Sequence, residues 1–363
     1  MKLRHYAPLL VLLTGAAHAQ SYTLADFYRY KPTLEHRTDQ IFDALTDAQR
    51  VGQMIVPAVG RLGKPTAHVA KLIGEGKVGG VLLLNGEKES FTALTENLND
   101  LAVQNGHPPL LFTADAEPSL VNRKISGTTK VPTTAALTDT TEVRRVARTI
   151  AADLKAIGVM QNYAPVLDVS PNNEAIGNRS FGSDPARVVE MNRAFVDATQ
   201  AAGVAATVKH FPGHGLVRGD THHQLVYIDG EMREVDNYRP LIEAGALSVM
   251  VAHIAVQNEG TYDTDGAAAS TSRRIVTDLL KEELGFRGVI VTDAMNMGAV
   301  SKDADAPLKA VRAGCDMILM PVDEQRLHAS VLRAMSDDAA LRDQVHTSVR
   351  KIIRMKLCLG LME

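Results

Sequence analysis

The sequence predicts an α/β fold, a single-domain (β/α)8 barrel of the TIM type, on three observations. Eight short apolar runs, β-branched or leucine-rich, recur at 54–59, 80–84, 110–115, 159–167, 205–210, 248–253, 289–293 and 317–321. Their hydrophobicity is continuous rather than alternating, as expected of parallel strands covered on both faces. Helix-period segments separate most of the runs, and polar residues gather where the runs end. Strands alternating with helices favour a closed barrel over an open sheet, and such a barrel builds its active site at the carboxyl ends of its strands.

The first twenty residues read as a leader rather than as part of the fold. Lys2 and Arg4 give a positive start, a short apolar run follows at 9–13, and Ala17-His18-Ala19 has the small-x-small form of a cleavage site. The expected division is a signal peptide over 1–19 and one barrel domain over 20–363, with the mature protein exported to the periplasm or secreted. The apolar run falls short of the roughly 20 residues that span a bilayer, and no later segment reads as a membrane anchor.

Between the runs, helix signals are explicit. Asp184-Pro185 offers an N-cap and an N1 proline, Val188, Met191, Phe195 and Ala198 follow at helical spacing, and Gly203 ends the segment. The pattern repeats over 277–284 with Gly285 before the seventh run. No Pro/Gly/Ser-rich linker divides the chain. The polar clusters then fall in order: Asp115 and Glu117 after run three, Asp168 and Arg179 after four, Lys209, His210 and the loop to His223 after five, His253 after six, Asp293 after seven. Scattered surface charge would not segregate in this way, and the placement favours an enzyme.

Composition limits the partners. The 363 residues carry 39 basic and 42 acidic side chains; without Lys2 and Arg4 the balance is 37 against 42, or −5. That gives no support for nucleic acid or an anionic membrane as partner. Two cysteines, Cys315 and Cys358, do not make a disulfide scaffold and read as small buried hydrophobes.

The strongest chemical signal is Lys209-His210-Phe211-Pro212-Gly213-His214-Gly215, followed after three residues by Gly219-Asp220-Thr221-His222. Strand five would deliver Lys209 and His210 to the barrel mouth. Gly213, Gly215 and Gly219 predict a loop with few backbone restraints that swings over a ligand. Asp220 and His222 lie within hydrogen-bond reach on that loop, and a carboxylate fixes an imidazole for general acid/base work. Asp293 closes a buried strand and suits a nucleophile that forms a covalent glycosyl intermediate. Taken alone it reads equally as the cap of a helix around 295–300. Asp115, Arg123, Arg179 and Lys209 offer the forked polar contacts that hold a sugar, although each also suits a structural ion pair.

At these residues the chain resembles glycoside hydrolase family 3, specifically its single-domain bacterial β-N-acetylglucosaminidases, from about residue 46 to 361. The family pattern Lys-His-Phe-Pro-Gly-x-Gly, four residues, Asp-Ser-His is matched with Thr221 in place of Ser. The resemblance implies Asp293 as nucleophile, Asp220 and His222 as acid/base dyad, and Asp115, Arg123, Arg179, Lys209 and His210 as binders of the terminal sugar. It implies an exo-acting, retaining β-N-acetylhexosaminidase, monomeric, acting on a small oligosaccharide from peptidoglycan or chitin-like material, with no cofactor and no metal. Two departures bear on substrate range: Asp115-Ala116-Glu117-Pro118-Ser119 replaces the family's Asp-Gln-Glu-Gly-Gly, and Thr292-Asp293-Ala294 loses the second Asp of Ser-Asp-Asp.

Other readings stay open. A β-glucosidase or β-xylosidase of the same family is the nearest, and an imidazole base leaves phosphorolysis conceivable. A catalytically silent glycan-binding barrel is a second class. The histidines 210, 214, 222, 223 and 253 also raise a metal-dependent hydrolase, against which stands the lack of any His-x-His on a strand or His-Glu-x-x-His.

Overall fold

Eight parallel strands form a ring in the computed structural model, which describes residues 22–170 and 173–363. The leader expected over 1–19 lies outside the described residues. The strands are β1 (Ile55–Val56 and Ala58–Val59), β2 (Gly80–Leu83), β3 (Leu111–Ala114), β4 (Val159–Asn162), β5 (Ala205–Phe211), β6 (Ser248–Val251), β7 (Val289–Thr292) and β8 (Ile318–Leu319). Pro57 has no N–H to give, so β1 is broken there into two short pieces. Each strand pairs in parallel with its sequence neighbour from β1 to β7.

Closure comes from β8. The Thr292 amide donates to Met317 O and the Met317 amide to Ile290 O, both at 3.0 Å, joining β7 to β8. On the other side Ile55 pairs with Ile318 and Val56 with Leu319. The (β/α)8 expectation therefore holds, strand for strand.

Strand bounds differ from the sequence reading where proline intervenes. The fourth strand ends at Asn162 rather than running to 167, because Pro165 cannot donate to a ladder; only a single bridge, Val166 to Lys209, continues it. The expected helix over 277–284 starts earlier, at Arg274–Glu283, and is wound as a π-helix. The Pro185–Ala201 helix starts and stops as its sequence signals require, with Asp184 accepting the Ala186 amide at 3.0 Å. Helix Thr140–Ala156 beside it buries Val143, Val146, Ala147, Ile150 and Leu154, a 3.6-period stripe, against the barrel.

The strands are buried on both faces, which explains their unbroken hydrophobicity. One polar layer crosses the barrel interior, where Gln161 Nε2 donates to Thr207 Oγ1 and Ser248 Oγ at 3.2 Å each. Both cysteines are free and buried. Among the described residues no helix is long and apolar enough to cross a membrane.

Candidate active site

The carboxyl ends of β3, β4, β5 and β7 face one cavity of about 540 Å3. Asp115, Arg123, Lys124, Arg179, Lys209, His210, His222 and Asp293 all line it. Seven of these eight are residues that the sequence singles out as candidate site residues; the eighth member of that set, Asp220, stands behind His222. The groups expected to flank a substrate are thus brought together from five separate segments.

Buried charge organises the floor. Lys209 Nζ lies 2.6 Å from Asp115 Oδ1 and 2.5 Å from Glu117 Oε1. Arg179 grips Glu117 through two parallel hydrogen bonds, Nη2 to Oε1 and Nε to Oε2. Lys124 pairs with the other oxygen of Asp115. Burial would raise both carboxyls, but Lys124, Lys209 and Arg179 hold Asp115 well below the ordinary carboxylate range, and Arg179 and Lys209 lower Glu117. Asp115 is thereby an ionised acceptor, and its two oxygens retain capacity for further hydrogen-bond donors. Arg179, read from sequence as either ion-pair member or sugar binder, lines the cavity while also making the ion pair.

Glu117 is the residue sequence reasoning undervalued. It sits at the end of β3 and holds both cations from beneath, yet the cavity lining does not include it. The departure at Pro118 and Ser119 has a structural use as well. Ser119 Oγ accepts the Thr134 amide at 2.8 Å and donates to Asn178 O at 2.7 Å, tying this turn to the segment that carries Arg179.

A second buried network positions His210. Asp168 Oδ2 stands 2.6 Å from His210 Nδ1, and its oxygens also accept the backbone amides of His210 and His214. Burial would raise Asp168, but His210 and His214 together outweigh it and lower the carboxyl.

Asp293 follows β7 directly, its amide donating to Val251 O at 2.9 Å and its Oδ1 accepting the Ala294 amide at 2.8 Å. The chain beyond it turns rather than forming a helix, so the capping role open to Asp293 in the sequence is not used. Burial would lift its carboxyl; His210, His253, the Ala294 amide and Lys209 together hold it below the ordinary range. It is a carboxylate near neutral pH. Burial lowers His253, whose neutral ring donates from Nε2 to Ala294 O and accepts Ser270 Oγ–H at Nδ1. His253 therefore props the turn that carries Asp293.

The Asp220–His222 pair forms as expected. His222 Nδ1 lies 2.6 Å from Asp220 Oδ1, which also accepts the His222 amide at 2.9 Å. Burial pushes Asp220 up, but these two hydrogen bonds bring it below its ordinary value. The ring is 60% exposed at the cavity wall, leaving Nε2 as the nitrogen free to meet a substrate.

One expectation is corrected. Gly213 and Gly215 do not loosen the loop; they let it pack. A β-carbon on Gly215 would stand 1.5 Å from Val169 O, and one on Gly213 would stand 2.4 Å from the Glu234 Cβ. Glu234, buried beneath, accepts the Val169 amide at 2.7 Å and the Leu216 amide at 3.2 Å, and burial beside Asp168 pushes its carboxyl up to about 8. The loop base is anchored. Behind it opens a second cavity of about 740 Å3, lined by Leu216, Arg218, Tyr227 and Glu234 among others.

Among the described residues no group of three His, Cys, Asp or Glu side chains is arranged to hold a metal ion.

The family model for the glycosyl hydrolase family 3 N terminal domain matches residues 46–355. A beta-hexosaminidase of Nitrosomonas eutropha is 33% identical over 264 residues, covering 67% of this chain and 73% of that protein. Among solved structures, a glycoside hydrolase family 3 beta-N-acetylglucosaminidase from a Paenibacillus species superposes with a TM-score of 0.79 at 32% identity, over 88% of this chain and 63% of that one. This chain thus spans less than two thirds of the Paenibacillus protein. The beta-N-acetylhexosaminidase of Beutenbergia cavernae gives a TM-score of 0.77 at 31% identity, over 85% of this chain and 97% of its own length.

Proposed function

The chain belongs to glycoside hydrolase family 3, and on that footing we propose that it is an exo-acting, retaining β-N-acetylhexosaminidase working through Asp293, His222 and Asp220. One observation carries the proposal. A depressed carboxylate at the end of β7 and a carboxylate-held imidazole from the loop after β5 open on the same cavity, whose floor is a cage of ionised polar groups.

In this mechanism the Asp293 carboxylate attacks the anomeric carbon of the terminal sugar. His222, protonated and steadied at Nδ1 by Asp220, donates its Nε2 proton to the departing glycosidic oxygen. The covalent glycosyl-Asp293 ester is then opened by water, which loses its proton to His222. Asp115, Lys209, Arg179, Arg123 and His210 hold the sugar hydroxyls throughout. The oligosaccharide we propose as substrate derives from peptidoglycan or a chitin-like polymer. We propose further that the sugar is met outside the cytoplasm, on the strength of the leader-like residues 1–20.

Purified protein assayed in parallel on nitrophenyl β-glycosides of GlcNAc, glucose and xylose tests the specificity. Preference for GlcNAc is expected, and preference for either non-acetylated sugar defeats the assignment. Binding of GlcNAc oligomers without turnover favours the silent binding barrel instead. Mass spectrometry of the protein trapped with a slow fluorosugar should place the label on Asp293.

A further inference from the structure

The loop that carries Asp220 and His222 is seated on the turn that follows Asp293. Gly298 donates its amide proton to His222 O at 3.0 Å, and Ala299 donates to Thr221 O at 3.3 Å. Thr221, between the two dyad residues, is itself buried, and its hydroxyl lies 3.2 Å from His214 Nε2. His214 is in turn fixed to the barrel, its amide donating to Asp168 Oδ1 at 2.7 Å. The dyad is therefore held from two sides: by the barrel through Asp168 and His214, and by the nucleophile's own segment through Gly298 and Ala299.

The seat has no room to spare. A β-carbon on Gly298 would stand 2.6 Å from His223 O and 2.8 Å from His222 O. Both are backbone atoms, which cannot rotate aside as a side chain would, so any larger residue at 298 must displace the loop. The stretches that flank the dyad, Leu216 to Arg218 and Gln224 to Val226, line the second cavity of about 740 Å3, which leaves the loop room to shift.

We infer that Gly298 and Thr221 are positioning residues that set the placement of the His222 imidazole relative to Asp293. The inference rests on the proposed retaining mechanism through Asp293 and His222, not on the identity of the sugar. Seating the acid/base on the nucleophile's turn registers two groups that arrive on different loops, so an error in one carries the other with it. General acid/base catalysis is steep in distance, and misplacement of this kind is costly even when every reacting group is present.

The test is a comparison of leaving groups. For whichever β-glycoside the unaltered protein turns over best, Gly298→Ala is assayed on a 4-methoxyphenyl glycoside, which needs proton donation, and on a 2,4-dinitrophenyl glycoside, which does not. The expected result is a fall in kcat/KM of about tenfold or more on the first and about twofold or less on the second. Azide, a nucleophile that needs no base, should restore kcat on the activated substrate. Thr221→Val should show the same split and Thr221→Ser should not, because serine keeps the hydroxyl that meets His214. Equal loss on both leaving groups, or no loss, in Gly298→Ala and Thr221→Val overturns the positioning role. A change of preferred sugar leaves this comparison intact and counts only against the hexosaminidase reading.

Discussion

Arg179 and Glu117 meet through two parallel hydrogen bonds of 2.7 and 2.8 Å, and Glu117 Oε1, which accepts one of them, also receives Lys209. Arg179 has no other carboxylate partner among the described ion pairs, whereas Lys209 shares itself between Glu117 and Asp115. Glu117→Gln removes the charge while keeping the shape. Breaking a buried pair by neutralising one partner costs about 3–5 kcal/mol. The variant should therefore lose several kcal/mol of stability, read by urea unfolding, and raise KM by at least about tenfold. A variant with ordinary KM would show that the cage does not hold the sugar.

Asp293→Ala should abolish turnover on every aryl glycoside, because no covalent intermediate can form. His222→Ala should lose about 10²–10⁴-fold on poor leaving groups and far less on activated ones. Steady-state rates on a leaving-group series read both effects. Near-normal activity in either variant would remove that residue from the mechanism.

Burial pushes the Asp293 carboxyl up, and His210 is the first of the groups, with His253, the Ala294 amide and Lys209, that together hold it below its ordinary range. Attack requires the ionised form. Replacing His210 by Asn removes its influence, so the nucleophile's proton binds more tightly and the acid limb of kcat/KM moves to higher pH. The position of the limb, not the height of the profile, is the readout. A limb that stays put or moves to lower pH contradicts the arrangement.

Lys356 lies fully buried beneath the barrel, its ammonium near Gln53 Oε1, Gly79 O and Pro109 O, and no carboxylate among the described residues pairs with it. Burial brings its pKa from the ordinary 10.5 down to about 7. Across that window the unfolded chain keeps a proton that the folded chain has released, so unfolding free energy rises with pH, by up to about 1.4 kcal/mol per pH unit. Lys356→Met lacks the titrating group. Urea unfolding at pH 7 and pH 9 should show stability rising more steeply for the unaltered protein than for the variant. Parallel pH dependence in the two proteins would refute it.

Much of the architecture is legible in the sequence, because a strand covered on both faces leaves a continuous apolar run and a capped helix announces its ends. Asp293, Lys209 and His210 could be placed at the barrel mouth for the same reason. Glu117 could not be ranked: its importance lies in Arg179 and Lys209, which reach it only after the ring has brought separate loops together. The glycines of the acid/base loop were misread, because sequence shows the missing side chain but not the neighbours, here Val169 and Glu234, that occupy its space. Gly298 went unnoticed for the same reason. Nothing near it in sequence indicates that another loop rests on it.

The short seam between Ile55–Val56 and Ile318–Leu319 has a consequence for how a nascent chain reaches this fold. Until the residues around Ile318 are available, the first and seventh strands each present a row of unsatisfied amides and carbonyls. Such paired raw edges recruit strands from other molecules. Self-association should therefore peak in fragments that stop just upstream of Ile318 and fall away once those few residues are added.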